Sequence, residues 1–180
     1  MNPAAFYLEP HPGLPFPRDV VVRGSARRAG TRLRMAWSLA GPPGAFVAPA
    51  PPIRPERRRG LWEDTCCEFF LAFPERPGYR EFNLSPAGHW NVFRFDSYRA
   101  GMREETAFAA LAFAAAGDEH GCEVTAEFDL APLDGAAGPW RLAVATVVSG
   151  AGGLSYWALA HPRPEPDFHD AGGFLIRLDA

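Results

Sequence analysis

Lysine is absent from this chain; all 18 of its basic residues are arginine. We read that first as codon and genome bias, with little to say about partners. Charge of one sign is also scarce. A formal net charge of −3 and an isoelectric point near 5.9 give no electrostatic reason to expect a nucleic acid or an anionic membrane as partner. No apolar run reaches the roughly 20 residues that span a bilayer as a helix. Met1–Pro10 has neither a basic start nor an apolar core, so no signal peptide is expected and a cytoplasmic location is the default. Cysteine is sparse, with three residues, and the number is odd. Cys66 and Cys67 are adjacent on a strand pattern and so point to opposite faces, which excludes a bond between them. Buried free thiols are the expectation for all three. An Asp-rich cluster dense enough for calcium is missing, and so are zinc spacings, a phosphate loop and a Ser-His-Asp order.

What is present is apolar and aromatic: 47% hydrophobic and 13% aromatic residues over 180 positions, enough to bury the core of one domain. Residues 1–18 are proline-rich and read as an extended segment ahead of a domain over 19–180. Thr31 to Leu39 alternates, with Leu33, Met35, Trp37 and Leu39 on one face and Arg32 and Arg34 on the other. Gly121 to Leu130 repeats the pattern through Cys122, Val124, Ala126 and Phe128, and Trp140 to Val148 suits a buried strand. Prolines at 42, 43, 49, 51, 52 and 55 make 41–60 a loop, in which Arg57, Arg58 and Arg59 read as solvated. Residues 106–116 are ambiguous, because their alanines favour helix and their position favours strand. Nine or ten short strands between Gly/Pro turns, with no strong helical period, predict an all-β fold, a single antiparallel β-sandwich.

The segment Leu61 to Met102 concentrates acids, amides and aromatics. Ser85-Pro86-Ala87-Gly88 is a turn, and two registers fit it. A two-residue loop sets Asn83 opposite Trp90, whereas a three-residue loop with a glycine bulge sets Asn83 opposite Asn91. Only the bulged register gathers Phe82, Leu84, Trp90 and Val92 on one face, where each large side chain contributes about 1.5–3 kcal/mol on burial. The preceding strand continues the scheme, with Cys67, Phe69, Leu71 and Phe73 on the apolar face and Glu68 on the other. In a meander, Glu68 joins Tyr79, Glu81, Asn83 and Asn91. Aromatics beside carboxylates and amides suit a carbohydrate, whose C–H faces stack on rings and whose hydroxyls pair with acids and amides. The same pattern equally suits a face packed under another layer, with its polar groups bonded internally.

These residues resemble the DOMON-like proteins, a bacterial group related to family 9 carbohydrate-binding modules. The resemblance rests on Leu61-Trp62-Glu63, Thr65-Cys66, Glu68-Phe69-Phe70, Glu81-Phe82-Asn83-Leu84-Ser85-Pro86, Gly88, Trp90, Tyr98-Arg99 and Met102. Tyr156-Trp157-Ala158-Leu159 and Pro166-Asp167-Phe168-His169 extend it, so that it covers most of the chain beyond residue 20. It implies a DOMON-type β-sandwich, which relatives use to bind sugars or haem, and it implies a strand over 106–116.

The expected function is therefore non-catalytic binding of a carbohydrate or sugar-like small molecule. The candidate ligand-binding residues are Trp62, Glu63, Glu68, Tyr79, Glu81, Asn83, Asn91, Arg99 and Trp157. Trp90 is the weakest stacking platform, since the bulged register turns it inward. Arg99 suits an acidic sugar through a bidentate pair, or equally an internal pair with Glu63 or Glu68. No cofactor is expected. The alternative is haem, with Met102, His161 and His169 as the available ligands in a resemblance whose haem-binding members use Met with His. A further alternative is a glycan-active enzyme built on two carboxylates among Glu63, Glu68 and Glu81. His161 and His169 flank a proline loop containing Asp167, and that loop reads as surface, or as His169 closing the sandwich, ahead of a metal site.

Overall fold

Alternation becomes strands wherever one face can be buried. A computed structural model describes residues 2–46 and 54–179. Among them β1 (Ala4–Pro10), β2 (Val21–Ala29), β3 (Arg32–Ala40), β4 (Cys66–Ala72), β5 (Tyr79–Leu84) and β6 (Trp90–Phe95) are followed by six more strands. These are β7 (Arg103–Glu104), β8 (Phe113–Gly117), β9 (Gly121–Asp129), β10 (Trp140–Gly150), β11 (Gly153–Ala158) and β12 (Ile176–Leu178). All their pairings are antiparallel. Two short 3₁₀ turns, Leu61–Glu63 and Ala171–Gly173, complete the regular structure. The proline-rich loop expected over 41–60 is described only at its two ends, and its prolines at 49, 51 and 52 lie outside the described residues.

Strands run in the order β7-β6-β5-β4-β10-β11-β1-β2-β3-β9-β8, with β12 beside β10. The path folds into two layers, and β1 belongs to both. Its residues Ala4 to Leu8 pair with β2, while Glu9 and Pro10 pair with β11. Of the proline-rich segment expected to precede the domain, Ala4–Pro10 supplies a strand of the sandwich. Residues 106–116 divide: β8 starts only at Phe113, and the stretch before it is irregular, so the strand implied by the resemblance holds for its last part alone.

The layers meet through the faces that alternation selects. Leu33, Met35, Trp37 and Leu39 from β3 and Val124, Ala126 and Phe128 from β9 face Phe69, Leu71, Phe82 and Val92 in one buried cluster. Phe69 stacks on Phe82 with ring centroids 4.3 Å apart and meets Phe128 of the opposite layer at 5.2 Å. The hairpin β5–β6 adopts the bulged register: Asn83 faces Asn91 and Leu84 faces Trp90. Gly88 takes φ 90°, and Ser85 N–H bonds His89 O at 2.9 Å. Trp90 accordingly lies in the core, 3% exposed, with the Arg57 guanidinium 4.3 Å above its ring.

Arg57 corrects the reading of 57–59 as a solvated run. Its guanidinium donates to Asn91 Oδ1 at 2.8 Å and to the carbonyls of Glu105 and Phe108, so it ties the loop to β6. Arg58 and Arg59 remain exposed and pair with Glu56 and Glu104. The three cysteines are free and buried. Among the described residues no helix is long and apolar enough to cross a membrane.

Candidate functional site

The outer face of the β4–β5–β6–β10–β11 layer carries a cavity of about 520 Å3. Period-2 alternation sets its floor. While Cys67, Phe69 and Leu71 of β4 enter the core, Cys66, Glu68 and Phe70 turn outward. Glu68 is cross-strand from Asn83, and Phe70 from Glu81. The outward row of β10 supplies Val147 to the lining, while Ala143 and Ala145 pack under Phe70, Tyr79, Phe93 and Phe174 in a second buried cluster. Three segments rise around the floor. The turn Leu61–Glu63 brings Trp62, the turn after β6 brings Arg99 and Met102, and the segment after β11 brings Pro166, Phe168 and His169. Trp62 meets Phe93 edge-on at 5.9 Å, and Tyr156 of β11 meets Phe168 at 6.1 Å.

The polar groups form two connected sets. In the first, Asn83 Nδ2 donates to Glu81 Oε1 at 2.7 Å, whereas Asn83 Oδ1 and Glu68 Oε1 are buried with no hydrogen-bond partner. Burial drives the Glu68 carboxyl well above the usual carboxylate range, and the neighbouring Glu81 charge adds to it. Burial also lifts Glu81, to about 7, against the opposing pull of the Asn83 hydrogen bond and of Arg99. Cys66 beneath them is held as a thiol by burial first and by the Glu68 charge second.

In the second set, Arg99 N–H donates to Tyr79 Oη at 3.2 Å, and Tyr79 Oη lies 2.8 Å from His169 Nδ1. His169 Nε2 faces Glu81 Oε2 at 3.9 Å. Burial, then the nearby Arg99 charge, lower His169 to about 4, so it is neutral at neutral pH. Arg99 has φ 51°, the left-handed region that costs a non-glycine residue about 1–3 kcal/mol. That backbone puts its N–H on Tyr79, while Nη2 and Nε donate to Asp167 Oδ1 at 2.8 and 3.2 Å. Tyr98 Oη donates to the other carboxylate oxygen of Asp167.

Of the expected residues, the structure brings Trp62, Glu63, Glu68, Glu81 and Arg99 to this cavity. Tyr79 and Asn83 stand one contact behind it, orienting His169 and Glu81. Asn91 lies elsewhere: its amide is consumed by Arg57 and by Arg58 O. Trp157 is a correction. It is buried in the core on the opposite face of β11, with its Nε1 donating to Ser155 Oγ at 3.0 Å, and its neighbour Tyr156 faces the cavity. Arg99 pairs with neither Glu63 nor Glu68 but with Asp167. Met102 and His169 of the haem set line the cavity, whereas His161 bonds Glu9 O at 2.8 Å and packs on His11 away from it. Tyr156, Phe168 and Phe95 are lining residues that sequence reasoning did not select. The first two sit inside stretches that carry the DOMON resemblance, and strand parity is the further signal, setting Tyr156 opposite to Trp157 and Phe95 on the face of Glu81.

The described residues form a two-layer antiparallel β-sandwich with a lined cavity on its outer face. Among solved structures, a candidate carbohydrate-binding protein from Bacteroides uniformis shares it with a TM-score of 0.68 at 15% identity, over 95% of this chain and 84% of that one. A family 9 carbohydrate-binding module from Caldicellulosiruptor kristjanssonii in complex with glucose aligns with a TM-score of 0.45 at 12% identity, over 84% of this chain and 74% of that one. At such identities the likeness is one of fold. No protein-family model and no curated protein matches the chain.

Proposed function

We propose that this chain is a non-catalytic binding module of DOMON type that takes a sugar-like small molecule in the cavity between Trp62, Tyr156 and Phe168. The observation that carries the reading is the pairing of these rings with acids that have free acceptor capacity at the floor, Glu68 Oε1 above all. Rings stack on the apolar face of a sugar, and acceptors without partners take its hydroxyls. The fold shared with a candidate carbohydrate-binding protein supports it further. Glycoside hydrolysis needs one carboxyl ionised and one protonated. Burial raises both Glu68 and Glu81 here, Glu68 the further, so a test for released reducing sugar is what separates a binding module from a carboxylate-dependent enzyme. A cytoplasmic setting, with three reduced thiols, belongs to the same proposal.

Tryptophan fluorescence tests it directly. Trp37, Trp90, Trp140 and Trp157 are buried, so half-buried Trp62 is the tryptophan that a ligand can reach. Titration with a panel of mono- and oligosaccharides is expected to give a saturable change, and isothermal titration of Trp62→Ala is expected to show affinity lowered at least about tenfold, or ~1.4 kcal/mol. Glu68→Gln is expected to weaken binding as well. Affinity untouched by both changes would place the ligand elsewhere. A Soret band in the purified protein would favour haem instead, and release of reducing sugar would make the chain an enzyme.

A further inference from the structure

We propose that the cavity selects a cationic ligand, a sugar bearing a primary amine, whose ammonium sits between Glu68 and Glu81 under the rings of Trp62 and Tyr156. The proposal rests on the sugar-like reading above and sharpens it.

The charge inventory points one way. Three acids line the cavity, Glu63, Glu68 and Glu81, beside one arginine, Arg99, and His169, which is neutral at neutral pH. Arg99 is held at 2.8 Å by Asp167, so its charge is already matched and an acidic sugar finds no free cation to pair with. Glu68 is 3% exposed and its Oε1 has no partner, which leaves a buried acceptor that asks for a donor. Among the described residues no hydrogen bond reaches Glu81 Oε2, and His169 Nε2 stands off at 3.9 Å. An ammonium brings three donors and a positive charge, so it can satisfy both carboxyls at once. Aromatic faces around it add cation–π attraction. An amide or hydroxyl in the same place would supply a donor but no charge, and would leave the carboxyls in the protonated form that burial favours.

The groups facing the pair define a pH signature. On β4 these are Glu68 itself and the Cys66 thiol; on β5, Asn83 and Tyr79. Arg99 comes from the turn after β6, His169 and Asp167 from the segment after β11, and Glu63 from the 3₁₀ turn. Of these, Glu81 is the group poised to change, at about 7. A bound ammonium holds it ionised, so an amine must displace a proton when it binds below neutral pH, and a neutral sugar need not. His169, at about 4, stays neutral throughout.

The experiment is isothermal titration of the full chain with glucosamine, galactosamine and mannosamine, each beside its neutral parent and its N-acetyl derivative, and with glucuronate and cyclohexylammonium. It is run near pH 6.5 in two buffers of different ionisation heat. At least one hexosamine is expected to bind tenfold or more tighter than its N-acetyl form, with proton release read from the buffer dependence. Glu81→Gln is expected to remove both the preference and the proton release while leaving far-ultraviolet circular dichroism unchanged. Equal affinity for amine and N-acetyl forms, or a tighter uronate, overturns the inference and leaves sugar binding standing. Cyclohexylammonium bound with no sugar bound keeps the cation and overturns the sugar. No binding by any probe overturns both.

Discussion

Glu81 carries its carboxyl in a place that disfavours the charge, and this has a stability consequence. Its folded value of about 7 lies above the ordinary glutamate range, so the protonated form is favoured by folding. Its contribution is fully present below about pH 4 and is lost as pH rises through about 7. Glu68 acts in the same direction. His169 acts oppositely: it is depressed to about 4, so its contribution is present above about pH 6.5 and is lost as pH falls toward 4. Between those limits the slopes offset one another, and above them the acids alone remain. Chemical denaturation is therefore expected to show stability falling from pH 6.5 to 8, and Glu81→Gln to flatten that fall by up to about 1 kcal/mol, because most of the Glu81 contribution is already lost between pH 4 and 6.5. An unchanged slope in the variant would mean that Glu81 is not held out of water. At this scale the sequence was partly legible. Alternation put Glu68 and Glu81 on one face, but no pattern announces that Asp167, some 68 residues along the chain, would claim Arg99. Trp157 shows the other limit: with β11 read as a ligand-bearing strand, one residue of parity separates the core tryptophan from cavity-facing Tyr156.

At the scale of elements, the strands that were easiest to read have one clean apolar face. β3 and β9 bury the expected faces and the β5–β6 hairpin takes the expected register, because a one-residue slip would expose a row of large side chains. β1 and β8 were harder. Prolines mask β1, which ends where the prolines begin and alternates only through Phe6 and Leu8; alanines on β8 bury too little to alternate visibly. β2 hides its own constraint. Gly24 lies between Phe6 on β1 and Trp37 on β3, whose rings meet across it edge-on at 6.3 Å. A Cβ there would stand 1.9 Å from Ala36 O and 2.5 Å from Phe6 Cζ. Gly24→Ala must therefore push the aromatic ring and the neighbouring strand apart together. Urea denaturation is expected to show a loss of about 1–3 kcal/mol, the usual range for overfilling a packed core, with the slope against urea unchanged. A variant as stable as the parent would show that β1 can move off β2 at little cost.

For the whole molecule, the order of strands makes β1 the hinge of the design. Without it, β2 would lose the partner that links its layer to β11, and the layer bearing the cavity would touch the other only through side chains. The cavity depends on this joint, since Tyr156 and Ala158 sit on β11 and Glu9 pairs directly with Ala158. Phe6 and Leu8 add two buried side chains to the core, worth together about 3–6 kcal/mol of transfer free energy. That is a large share of the roughly 5–15 kcal/mol by which a domain is usually stable. Deleting residues 2–10 is therefore expected to lower the melting temperature by at least about 10 °C and to raise tryptophan exposure, since Trp37 loses its Phe6 contact. The cavity mouth should respond too, with amide exchange rising along β11 and in the segment from 161 to 170 before it rises in β4 and β5. A truncated chain that melts with the full-length protein would mean that the sandwich begins at residue 19, as the proline content of the first 18 residues suggests.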